Sequence, residues 1–196
     1  MKGLLKKDLF VLKKQTWLFI VFLVAFSFNP AMLPFVVIYA SMFPYTAMAY
    51  DERCKWCDLA DMMPYSPQDI VLSKYVLGWL LTVAMALGAV LLQFIRGAFT
   101  GESLQWEFVI ISLFLGMLSM DVTQPLMFRF GVEKARLVIM LLVIGLATAS
   151  ISMLQIFMVS GQKLPAALQI GAPLLVIVGT PLSIFVSVRC YNHRKR

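Results

Sequence analysis

With 61% hydrophobic and only 14% charged side chains over 196 residues, the chain departs from the roughly half-apolar, quarter-charged make-up of soluble domains, and this excludes a water-soluble globule. Six apolar blocks of roughly 20 residues, the length that crosses the hydrocarbon core, nearly exhaust it and leave no room for a separate soluble domain. A net charge of +7 would suggest nucleic acid as partner for a soluble protein, but these cations border the apolar blocks, so nucleic-acid binding is set aside.

Of the 17 lysines and arginines, all but Arg96 and Lys163 fall at the N-terminus, in 51–74, in 121–136 or in the C-terminal tail. Cationic segments beside spans stay in the cytoplasm, so these four lie inside and the gaps between them outside. The fold class expected is an all-α polytopic membrane protein with six transmembrane helices and cytoplasmic N and C termini.

Residues 2–15 place Leu4, Leu5, Leu9, Val11 and Leu12 on one half of a helical wheel and Lys2, Lys6, Lys7, Lys13 and Lys14 on the other, with Asp8 and Phe10 as exceptions. That pattern predicts an amphipathic helix in the cytoplasmic interface, its apolar face in the acyl boundary. Lys13 and Lys14 interrupt the early apolar run and no small-residue cleavage site follows, so no cleavable signal peptide is expected. From Trp17 to Tyr50 the chain is apolar but broken at Asn29-Pro30. Both flanks are cationic, which requires an even number of crossings, and two short spans, 16–28 and 31–50, are expected. Further spans follow at 75–94, 104–120, 137–159 and 170–188, with outer turns at Arg96–Glu102 and Gly161–Pro165. Ala84 with Gly88, and Gly145 with Ala149, have the four-residue spacing that lets helices approach closely in lipid.

The inner loop 51–74 carries the most information. Trp56, Leu59, Ala60 and Met63 have helical spacing with acids between them, predicting an amphipathic helix over 51–63 that Pro64 ends. Ser66-Pro67-Gln68-Asp69 then opens a second helix, with a capping serine, proline at the first position and an acid at the third, leading directly into span three. A short helix with a Trp/Met face held in the cytoplasm by two spans is a docking element or a surface helix packed on its own bundle.

Catalytic signatures are missing. There is no Gly-x-x-x-x-Gly-Lys-[Ser/Thr] phosphate loop, and no span holds His-Glu-x-x-His, paired aspartates or a serine beside a base. Asp121 and Gln124 stand at the inner end of span four, whose helix is expected to continue toward Met127, and a carboxylate at that depth is a functional candidate by default; inner-leaflet water near Arg129 or Arg136 is the expected surrounding. Cys54, Cys57, Cys190 and His193 have metal-ligand spacing in two cytoplasmic pieces, but one short motif plus a tail is weak evidence for zinc, and no metal site is expected. A disulfide is disfavoured in the reducing cytosol.

Several stretches resemble one family: Met1–Leu9, Asp51-Glu52 with Trp56, Pro64-Tyr65-Ser66 leading to Asp69–Tyr75, and Phe130–Arg136. The chain resembles the ABC-2-type permeases of bacterial ATP-binding-cassette exporters, in the branch that includes the phenol-soluble-modulin exporter permease and bacteriocin self-protection permeases. The resemblance implies an N-terminal elbow helix and a coupling helix between spans two and three that inserts into a separate ATPase subunit. Carried onto this chain, the coupling residues are Asp51, Glu52, Lys55, Trp56, Asp58, Leu59 and Met63, while the cysteines depart from the family pattern. It also implies two cytosolic ATPases that bind ATP and Mg, a second permease in a homo- or heterodimer, and location in the bacterial cytoplasmic membrane. The chain itself is then no enzyme and holds no cofactor. A composition of 15 phenylalanines and 13 methionines suits a hydrophobic or amphipathic cargo, such as a peptide toxin or bacteriocin, a lipid-like molecule or a lipophilic drug. Rival readings are a six-span substrate-binding subunit of a vitamin importer, a lone membrane facilitator and an intramembrane enzyme. The elbow, the docking loop and the bare spans count against them.

Overall fold

The computed structural model describes residues 2–27, 29, 32–63, 65–101, 106–160 and 166–194. Within its helices the side chains of 2, 14, 57, 58, 61, 100, 107, 108, 147, 150, 151, 153–160, 166–173, 193 and 194 lie outside the described set. The described residues form helices throughout: α1 Lys2–Ser27, α2 Leu33–Ala40, α3 Phe43–Arg53, α4 Trp56–Asp61, α5 Pro67–Thr100, α6 Trp106–Phe130, α7 Val132–Ser160 and α8 Ala166–Arg194. Of the two expected outer turns, 102 and 161–165 fall outside the described residues.

Helix α1 bends by 67° between Gly3–Lys13 and Gln15–Ser27, where the cation-rich half meets the apolar half. The buried line on its first half is Leu4, Asp8 and Leu12, at four-residue spacing, while Leu9 and Phe10 are exposed. This corrects the face read from the wheel. Asp8 belongs to the buried stripe, because Lys74 of α5 meets it there, and the stripe packs on protein rather than on acyl chains.

The expected second span is two helices. Pro44 stands in the first turn of α3, where its missing N–H leaves no gap. Ser41, at the break, donates to the Ile38 carbonyl at 2.6 Å and lies 2.6 Å from Ser119 Oγ of α6, so a hydroxyl pair pins the break to the neighbouring helix. Leu33–Arg53 as a whole is still long and apolar enough to cross a membrane. So are Pro67–Phe99, Val109–Phe130 and Leu174–Asn192 among the described residues, and the bent α1 joins them only when its two halves are counted as one span. Residues 137–159, the expected fifth span, lie within α7.

The inner loop is also reshaped. Residues 51–53 complete α3, Lys55 takes a left-handed conformation at φ 51°, and the helix that follows, α4, is only six residues long. The next start is as the sequence predicts. Ser66 caps α5, accepting from the Asp69 N–H at 3.1 Å and donating to Asp69 Oδ2 at 2.8 Å, with Pro67 at the first position. Helix α5 then runs unbroken through the predicted outer turn to Gly101, whose φ of 73° ends it. Helix α6 continues past Met120 to Phe130, with Gly131 at φ 79° separating it from α7.

Helix α6 is the centre of the bundle and packs against α2, α5, α7 and α8. Close approach there depends on glycines that small-residue spacing did not single out. A Cβ at Gly78 would lie 2.8 Å from Pro44 Cγ and collide with Met120; one at Gly116 would lie 2.7 Å from Val37 Cγ1. Gly88 touches Leu23 of α1 as expected, whereas Gly145 faces open space.

Candidate coupling site

Four ionised side chains from three helices close a ring where α1, α3 and α5 converge. Lys7 Nζ lies 2.5 Å from Asp51 Oδ1, Lys74 Nζ lies 2.6 Å from Asp51 Oδ2 and 2.8 Å from Asp8 Oδ2, and Lys7 returns to Asp8 Oδ1 at 3.2 Å. That last contact is a charge contact without hydrogen-bond alignment. The side chains of Asp8 and Lys74 are 2% and 5% exposed, so neither would remain charged there unpaired. Two cations and two anions cancel. A ring of this kind contributes little net stability, because desolvation offsets the Coulomb gain, but it fixes the geometry of the helices that supply it.

Two further contacts widen the junction. The Lys7 ammonium stands 4.0 Å from the centroid of the Trp56 ring, a cation–π contact that fastens α4 to the first half of α1. Glu52 Oε2 accepts from the Val132 N–H at 2.8 Å, supplying one of the backbone acceptors that the start of α7 lacks. One turn of α3 therefore holds α1, α5 and α7 through Asp51 and Glu52.

The expected coupling residues separate into two groups. Asp51, Glu52 and Trp56 face inward and tie the junction together; Trp56 and Ala60 pack on the core. Lys55, Leu59 and Met63 face out, joined by Met62, which is 86% exposed. The single apolar face expected over Trp56, Leu59, Ala60 and Met63 is thus two adjacent stripes: 56 and 60 inward, 59, 62 and 63 outward. Burial of Trp56 under Lys7 sets that rotation. The Asp58 side chain lies outside the described residues. Sequence reasoning missed Lys7 and Lys74 as partners of Asp51, and Asp8 as the second carboxylate between them. The available signal was a lysine at the head of an apolar run and an acid on the apolar half of a basic helix.

The zinc candidates are dispersed where they can be seen. Cys54 is an exposed free thiol on the α3–α4 turn and Cys190 a partly buried one on α8, while the Cys57 and His193 side chains lie outside the described residues. Among the described residues no three His, Cys, Asp or Glu side chains gather as a ligand set. Asp121 and Gln124 lie on α6 where it continues past Met120. Gln124 is 1% exposed with neither amide atom partnered, and Asp121 lies against α8 with Oδ1 enclosed and unpartnered. Helix α6 runs nine residues beyond Asp121 before Gly131 breaks it.

A bundle of apolar helices with one charged junction at their ends defines a polytopic α-helical membrane protein. Residues 3–192 match the family described as ABC-2 family transporter protein, and the chain belongs to that family. It is thereby a permease component of an ABC transporter, a multi-pass membrane protein that associates with an ABC ATPase. No curated protein and no solved structure matches the chain.

Proposed function

We propose that this chain is the translocation subunit of an ATP-driven exporter and that α4 is the helix its ATPase grips. The observation that carries the reading is the exposed apolar tip Leu59, Met62 and Met63 on a helix bound to α1 by Trp56. Force applied to α4 passes through Trp56 to Lys7, and through the Asp51 ring to α3 and α5, so nucleotide-driven movement outside the membrane reaches three helices at once. The first half of α1 serves as the elbow. In this reading the chain has six spans, cytoplasmic termini and a place in a bacterial cytoplasmic membrane. Two such permeases, alike or different, work with two ATPases that hold the ATP and Mg. The chain itself catalyses nothing, and its cargo is hydrophobic or amphipathic: a peptide toxin or bacteriocin, a lipid-like molecule or a lipophilic drug.

The test is co-purification. Tagged protein extracted in mild detergent should bring down, in near-equal amount, a protein that carries a phosphate-loop sequence and takes up a photoreactive ATP analogue. Leu59→Ala with Met62→Ala should lose this partner while remaining monodisperse, since apolar anchors at a docking centre commonly contribute about 2 kcal/mol or more each. Full retention of the ATPase by the double variant would refute α4 as the grip.

A further inference from the structure

Among the described residues Asp121 is the carboxylate farthest from either end of its helix, and the groove in front of it has no assigned role. Its position follows from a proline. Pro125 has no N–H to offer the Asp121 carbonyl four residues earlier, and Ser183 of α8 supplies the donor instead, its Oγ 2.6 Å from that carbonyl oxygen. Having spent its proton there, Ser183 accepts from the Tyr75 hydroxyl at 2.6 Å, and Ser187 in turn donates to Tyr75 at 2.9 Å. The cluster's donors are thus used on one another and on the main chain, and none reaches the carboxylate. Gly179 stands opposite it, a Cβ there falling 3.7 Å from Oδ2. Oδ1 is enclosed without a partner.

The carboxylate borders a cavity of about 480 Å³ between α6 and α8, otherwise lined mainly by Leu118, Val122, Leu175, Leu182 and Val186. Leu175 and Leu182 are largely exposed, so the cavity opens sideways toward the acyl chains. Its one cation, Arg129, is eight residues away, about 12 Å along the helix, with its guanidinium 5.3 Å from the Phe130 ring centroid. An unpaired carboxylate in hydrocarbon needs either a proton or a positive partner with N–H donors.

We propose that this groove binds a lipophilic ammonium, a long-chain amine entering from the bilayer, with its head on Asp121 and its chain leaving through the open side of the groove between Leu175 and Leu182. An aminophospholipid does not fit. Asp121 lies nine residues, about 13 Å, from the helix end beside Arg129 and Lys134, and the two-carbon bridge between its amine and phosphate would draw the phosphate into hydrocarbon. The site goes beyond the export reading and is measured on this chain without any ATPase, so failure of one leaves the other standing.

The experiment compares radiolabelled hexadecylamine with hexadecanol on the full chain in phosphatidylcholine nanodiscs, each corrected for protein-free discs. Saturable amine binding at least ~10-fold tighter than alcohol binding is expected. Asp121→Asn should bring the amine down to the alcohol level, and Gly179→Leu should weaken it by filling the space opposite the carboxylate. Equal retention of amine and alcohol by the unaltered protein would overturn the proposal whatever the variants do. So would an Asp121→Asn protein that keeps the preference, or displacement of the amine by phosphatidylethanolamine added to the discs.

Discussion

Lys74 shows how one side chain decides several contacts. A lysine 4% exposed at the head of a span is tolerable only because Asp8 and Asp51 both reach its ammonium. Lys74→Met would leave Lys7 as the ring's one cation between the Asp8 and Asp51 carboxylates, with an uncompensated negative charge at buried Asp8, and we expect a loss of about 3–5 kcal/mol in unfolding free energy, the range for breaking a buried pair. Denaturant unfolding in detergent measures it. The double variant Lys74→Met with Asp51→Asn should lose clearly less than the sum of the singles, because groups in one network are not additive. Additive losses would mean the ring is not coupled. Composition alone could not pair Asp8 with Lys74, since 66 residues separate them and only the packing of α1 on α5 brings them together.

At the scale of the element, α4 follows the left-handed Lys55, runs for six residues and leaves one apolar stripe exposed. Cys54, exposed beside it, is a native reporter of which side of the membrane the element occupies. With Cys57 and Cys190 changed to serine, a membrane-impermeant maleimide should label Cys54 in inverted vesicles and leave it unlabelled in intact cells. The reverse pattern would place the junction outside and remove the docking reading. The capped start of α5 was legible from Ser66-Pro67-Gln68-Asp69, because capping is local chemistry. The split of α2 from α3 and the inward rotation of Trp56 were not, because each depends on a partner distant in sequence: Ser119 in the first case, Lys7 in the second.

At the scale of the whole molecule, the bundle is held by close contacts around α6. Gly78→Leu would drive a side chain into Met120 and Pro44 and force α5 away from its neighbours, with an expected cost of about 1–3 kcal/mol. Gly145→Leu, which meets open space within the chain, should cost little by comparison in thermal unfolding. The sequence by itself determined that the protein is a helical membrane bundle and where its apolar blocks lie. Apolar length, charge placement and helix caps are properties of neighbouring residues and survive without a fold. Only the tertiary structure decided which charges pair, which stripe of α4 is offered outward and that Asp121 faces α8 across a groove. Those depend on distances between helices, and a distance across a bundle is set by every side chain packed between them.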